Sequence, residues 1–232
     1  MKYTNMKEGI FISRPNRFLA QVKIDGIEET CHVKNTGRCK ELLIPEQSTV
    51  YVQDHGVSEK RKTRYSLIGV RKGENYINMD SQAPNQVVEE WLKSNSFFPN
   101  LTYVKREQKY GNSRFDLYFE YNKKKCFMEV KGVTLEEDGI ARFPDAPTER
   151  GVKHMKELAQ CLEEGYEAYV MFVIQMKGVR QFQPNDRTHK VFGDTLREVK
   201  KKGVQIIAMD CIATRNSLVL DKEIPIYLET DK

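Results

Sequence analysis

Short alternations of apolar and polar residues, separated by turn residues, fill the first third of the chain. Stretches of strand length lie at 10–13, 18–24, 29–33, 49–53, 65–71 and 76–79. Asp25-Gly26 and Lys72-Gly73-Glu74-Asn75 punctuate them as turns. Only 39–43 has helical spacing, and Pro45 cuts it short. About five short strands with one small helix predict a compact all-β barrel of OB-fold-like type.

From residue 85 the period changes. Over 85–92, Val87, Val88, Trp91 and Leu92 fall on one helical face. A strand is predicted at 102–109. Two more lie within 114–131, with Gly111-Asn112 before the first and the polar stretch 121–125 between them. Phe115, Leu117 and Phe119 are expected on one face of the first, Arg114, Asp116 and Tyr118 on the other. Residues 132–147 read as extended loop. Thr148 is a good N-cap for a helix that Gly165 ends, with Leu158 and Leu162 on its apolar stripe. A buried strand at 168–174, a helix at 187–202 and a strand at 204–209 follow. The fold class is α/β with a mixed sheet, behind an N-terminal all-β barrel. The boundary falls between 1–84 and 85–232.

Composition narrows the class. Hydrophobic residues make up 39% and charged residues 31% of 232, as in a soluble globular chain. No stretch is long and apolar enough for a membrane span, and the N-terminus lacks the apolar core of a secretory signal. Five scattered cysteines without a C-x-x-C pair argue against a disulfide framework or zinc site, and fit a cytoplasmic protein with reduced thiols. The first 85 residues carry 14 Lys+Arg against 10 Asp+Glu, the remainder 24 against 23, so the positive excess lies in the barrel. A basic barrel suits nucleic acid, whose phosphates dominate binding.

The chemistry-bearing stretch is Arg114 to Lys131. If its two strands pair, Asp116, Glu129 and Lys131 meet. Two carboxylates suit Mg²⁺ or Mn²⁺ beside a phosphodiester, and the lysine suits a developing charge. An ordinary half-exposed hairpin carries the same residue types, and E-V-K alone is a common tripeptide. The spacing Asp116…Glu129-Val130-Lys131 resembles the PD-(D/E)XK nuclease motif. In the barrel, Lys34-Asn35-Thr36-Gly37-Arg38 suits a phosphate or is a plain turn, and Arg61 and Lys62 lie in a basic run that suits a nucleic-acid backbone or is a solvated loop. Arg150, Lys153, His154 and Glu157 share one side of a helix.

Ordered motifs run through nearly the whole chain: R-F-L-A at 17–20, H-V-K-N-T-G-R at 32–38, E-L-L-I-P at 41–45, R-K-T at 61–63, N-Q-V-V-E-E at 85–90, K-Y-G-N-S-R-F-D at 109–116, E-V-K-G-V-T-L at 129–135 and F-P-D-A-P-T-E-R-G-V-K-H at 143–154. In these the chain resembles the sugar fermentation stimulation protein A family. It departs at Glu46, where that family usually has Gly. The resemblance implies an OB-like domain, a PD-(D/E)XK nuclease-like domain, non-sequence-specific DNA binding and a role in regulating sugar (maltose) metabolism genes. It makes Asp116, Glu129 and Lys131 the catalytic core, Glu90 a further acid and metal ligand, and Glu107 a supporting acid. Arg150, Lys153 and His154 become substrate contacts, with Arg114, Lys34, Asn35, Thr36, Arg38, Arg61 and Lys62 as nucleic-acid contacts. The expected function is a divalent-metal-dependent nuclease without an organic cofactor, or else a non-catalytic DNA-binding regulator. RNA as the partner is a weaker reading. No membrane partner is expected, and a homodimer stays open.

Overall fold

The computed structural model describes residues 1–35, 37, 39–94 and 97–229. Thr36 and Arg38 lie outside the described residues. Strands β1 (Met6–Asn16), β2 (Leu19–Ile24), β3 (Ile27–Val33), β4 (Thr49–Asp54), β5 (Tyr65–Lys72) and β6 (Asn75–Asn78) form the first sheet, in the order β3-β2-β1-β4-β5-β6. Parallel pairing of β3 with β5 through Cys31↔Tyr65, His32↔Ser66 and Val33↔Leu67 closes it into a five-stranded OB-type barrel, with β6 as an extension. The two-residue turn after β2 uses Asp25 at φ 52 and Gly26 at φ 84, which matches the twist of the flanking strands.

The segment 39–43 is a single turn rather than a helix. The amides of Leu42 and Leu43 both reach the Cys39 carbonyl, Cys39 sits at φ 45, and Pro45 blocks a second turn. Glu46 adopts φ 59, a conformation that suits glycine and costs a side-chain-bearing residue about 1 kcal/mol.

The second part begins with α1 (Ala83–Lys93), then β7 (Leu101–Tyr110), β8 (Ser113–Tyr121) and β9 (Lys124–Val133). After the small strands β10 (Leu135–Glu137) and β11 (Ile140–Phe143) come α2 (Glu149–Glu163), β12 (Glu167–Ile174), β13 (Gln181–Pro184), α3 (Asp186–Lys202), β14 (Gln205–Thr214) and β15 (Ser217–Glu223). The main sheet has the order β15-β14-β12-β9-β8-β7, with β12 parallel to both β9 and β14. Helix α1 packs Val87, Val88 and Leu92 on one face, against Leu117, Phe119, Met128 and Met171. On the other face α2 packs Met155 and Leu158 against Phe115, Phe127, Val170 and Phe172, with α3 behind it. Thr148 caps α2 by accepting a hydrogen bond from the Gly151 amide at 3.1 Å.

The stretch expected as loop between Gly132 and Pro147 contains β10 and β11, which pair with each other and then, through β11, with β13. They are three and four residues long, too short for alternation to register. No helix among the described residues is long and apolar enough to cross a membrane.

Strands β8 and β9 pair from Tyr121↔Lys124 to Leu117↔Met128 and then part. The parting corrects the face assignment. Leu117 and Phe119 pack with α1, but Phe115 turns to the other core, with ring centroids 5.3 Å from Phe127 and 6.0 Å from His154. The twist occurs at Asp116.

Candidate functional site

Beyond Leu117 the amide of Val130 has lost its strand partner, and Asp116 supplies one. Its Oδ2 accepts from the Val130 amide at 2.8 Å, so a side chain replaces a rung of the ladder. Its Oδ1 accepts from Asn85 Nδ2 at 2.9 Å. Asn85 arrives there because α1 starts close against β9. A Cβ on Gly132 would lie 2.8 Å from Pro84 Cγ and 2.5 Å from Gln175 Oε1, so only glycine admits that approach. Gly132→Ala is therefore expected to lower stability by about 1–3 kcal/mol. An unchanged thermal midpoint would refute this account of the helix position.

Glu129 is carried by β9, between β8 and β12, and is 2% exposed. Its Oε1 accepts from His154 Nδ1 at 2.6 Å and from Lys131 Nζ at 2.5 Å. Arg150 Nε donates to His154 Nε2 at 3.4 Å, which leaves the imidazole proton on Nδ1, facing Glu129. Glu129 Oε2 is shut off from solvent and has no hydrogen-bond partner. Burial alone would raise the Glu129 carboxyl, but His154 and Lys131 outweigh it and hold the group below its ordinary value. Asp116 goes the other way. Burial, then the charge of Glu129, push it up to about 6, against the pull of the Val130 amide, Lys131 and Asn85.

Two acids, one with a bare buried oxygen, thus stand close enough for the charge of one to act on the other, beside a lysine. An unpartnered carboxylate oxygen in the interior is costly unless something cationic completes it. A hard divalent cation, held by one or two carboxylates with water filling the remaining positions, fits this donor set.

The profile described as "Sugar fermentation stimulation protein RE domain" matches residues 82–217, and "SfsA N-terminal OB domain" matches 12–79. The chain belongs to the sugar fermentation stimulation protein family. A family member from Desulfitobacterium hafniense is 60% identical over 218 residues, covering 94% of each chain, and one from Clostridium beijerinckii is 58% identical over 228 residues, covering 98% of this chain and all of its own. A solved structure, described as Pyrococcus furiosus SfsA in complex with Ca²⁺, superposes with a TM-score of 0.86 at 27% identity over 98% of both chains.

Of the residues that the family resemblance singled out, the structure brings Asp116, Glu129 and Lys131 together. It does not bring Glu90. Five residues beyond Asn85, Glu90 lies roughly 140° round the helix. Its oxygens are taken by the Met1 ammonium at 2.6 Å and by Gln86 Nε2 at 3.0 Å. Glu107 is likewise removed, on the exposed edge strand at φ 54 and 3.6 Å from Arg114. His154 is buried and holds Glu129, so it is not placed as a substrate contact. Arg150 backs that histidine, and Lys153 is exposed and 3.7 Å from Glu157.

In the barrel, Lys34 is tied to buried Asp80 at 2.7 Å. Asn35 Oδ1 accepts from the Gly37 amide at 2.8 Å, and the carbonyls of both residues accept from Arg14. Among the described residues of that loop, the Gly37 amide is therefore engaged, and Arg14 braces the two carbonyls. Arg61 donates to Ser66 Oγ at 2.9 Å, and Lys62 is exposed. Sequence reasoning missed Asn85, although an asparagine just inside a helix start, behind Ala83-Pro84, is free to reach outward.

Proposed function

We propose that this family member is a divalent-metal-dependent nuclease that binds DNA along its barrel and hydrolyses phosphodiester bonds at Asp116, Glu129 and Lys131. The observation that carries the reading is the bare, buried Oε2 of Glu129 beside a second carboxylate that its charge disturbs. Ca²⁺ in the Pyrococcus furiosus relative supports a hard cation. When bound, such a cation polarises a phosphate and makes water a stronger nucleophile. Asp116 and Glu129 would hold it, and the Val130 amide and Asn85 keep Asp116 oriented. His154 and Lys131 fix the rotamer of Glu129 and leave Oε2 as its free donor. The Lys131 ammonium, released in part from Glu129 as charge builds on phosphate, stabilises that charge.

A second reading, a DNA-binding regulator of sugar (maltose) metabolism genes without turnover, draws support from a different fact. Both oxygens of Asp116 are already engaged, and among the described residues no group of three or more His, Cys, Asp or Glu stands ready for a metal.

Labelled single-stranded DNA, double-stranded DNA and RNA, incubated with Mg²⁺, Mn²⁺ or EDTA, separate these readings. Metal-dependent cleavage that EDTA abolishes is expected. Binding without cleavage of any substrate would sink the nuclease reading and leave the regulator.

A further inference from the structure

Basic side chains from β3 with the residue after it, and from the loop after β4, converge where β3 meets β5. The parallel register sets His32 beside Ser66. The Ser66 hydroxyl is shared by His55 Nε2 at 3.0 Å and by Arg61 Nη2 at 2.9 Å. Lys34 follows two residues after His32. Arg61 and Lys34 act on both imidazoles, and His32 acts on His55.

Each acid that faces this cluster already has a cationic partner, Asp80 within the cluster and Asp54 outside it. Asp80 is 2% exposed, bound to Lys34 and reached by the Tyr3 hydroxyl and the Gln82 amide. Asp54, the acid that faces His55, is clasped by Arg64 at 2.8 and 2.6 Å. Among the described residues, Arg61 meets only the Ser66 hydroxyl and, at 3.3 Å, the Thr63 carbonyl. Exposed Lys60 and Lys62 flank it. Burial first, then Arg61 and Lys34, hold both imidazoles below the ordinary histidine value. With Lys34 paired to Asp80, the cluster still carries Arg61, which has no carboxylate partner among the described residues, beside two proton acceptors.

We propose that this seam is a proton-linked phosphate seat, in which His32, His55 and Arg61, the last two positioned by buried Ser66, hold one phosphodiester group of a nucleic-acid backbone and the imidazoles gain protons as it docks. The assignment rests on the nucleic-acid reading above for its ligand, but not on cleavage. A phosphodiester keeps one negative charge across the neutral range, so the proton change belongs to the protein. The arriving charge offsets Arg61 and Lys34, the imidazolium form is favoured, and each ring then donates from both nitrogens. The bound state holds more protons than the free state, so affinity falls as pH rises through the histidine range.

The test uses the full chain carrying Glu129→Gln, in EDTA, so that neither metal nor cleavage enters. Imidazole resonances of His32 and His55 are followed by NMR from about pH 5.5 to about pH 8, alone, with a short DNA duplex, and with sulfate, whose charge is constant there. DNA is expected to move both midpoints upward by about one unit, and its affinity to drop across the range by up to roughly tenfold for each histidine, about a hundredfold at most for the pair. His32→Gln combined with His55→Gln is expected to flatten that dependence to within about twofold. Arg61→Gln is expected to weaken binding throughout while raising the midpoints of the free protein. Unmoved midpoints in the presence of bound DNA overturn the proposal, as does a chain that binds no DNA. Sulfate moving the midpoints while DNA does not would overturn a nucleic-acid ligand. An inactive enzyme that still shows the linked midpoints would fail only the cleavage reading.

Discussion

The Glu129→Gln variant is expected to fold, to lose the heat of Mn²⁺ binding, and to cleave DNA about a thousandfold more slowly than the unaltered chain. The amide keeps the length of the side chain, and its oxygen still accepts from His154 and Lys131 as Oε1 does now. What changes is the position of Oε2, bare and buried, where an NH₂ group would repel a cation. Loss of one carboxylate from a two-carboxylate site removes both charge and a coordinating atom, and metal-assisted hydrolysis depends on both. Calorimetry with Mn²⁺ and single-turnover cleavage check it together. Cleavage within tenfold of the unaltered chain would exclude Glu129 as a ligand.

Asp116→Asn is expected to abolish cleavage while making the metal-free protein more stable. A carboxyl pushed up to about 6 is one that the fold prefers protonated. Its ordinary value is near 4. The penalty for ionising it is absent below that value, grows as pH rises toward 6, and is constant above. Two units correspond to about 3 kcal/mol at most. Asparagine keeps the shape: its carbonyl can accept from the Val130 amide while its NH₂ meets the carbonyl of a turned Asn85. A gain of about 1–3 kcal/mol at neutral pH in EDTA, shrinking to nothing near pH 4, is therefore expected in urea titrations of the two proteins. A variant less stable than its parent at pH 7 would show that Asp116 is not held at a cost. With saturating metal the order should reverse, because only the parent binds it.

The pairing of Asp116 with the Glu129-Val130-Lys131 strand was legible because strands report a period of two and Gly111-Asn112 marks where one begins. The local geometry was not. The ladder ends at Leu117, and the resulting twist carries Phe115 to the opposite core, a long-range effect of α1 and α2 gripping different faces. Glu90 stood in a promising motif, but which acid of a helix faces a sheet depends on rotation, and Pro84 against Gly132 sets that rotation. Asn85 was brought to Asp116 by the same contact. His32 and His55 carried no signal singly. Only closure of the barrel by β3 and β5, together with the loop after β4, brings them to one serine. The turn residues made the barrel readable, whereas the small sheet of β10, β11 and β13 has strands too short to announce themselves.

The seam between barrel and sheet domain is a seam in topology and not in packing. One apolar cluster runs from Phe11, Val22 and Val52 in the barrel to Phe115, Phe172 and Phe192 beyond it. Across the joint, Gln175 donates to Asn78 and to the Asp80 carbonyl, and on the barrel side the Tyr3 hydroxyl meets those same two residues. The halves are consequently not exchangeable modules. A foreign barrel grafted onto this sheet domain would arrive without the apolar face and the amide contacts that its host requires. A cut at residue 84 divides one continuous core, so exchanging either half requires both sides of the joint to change together.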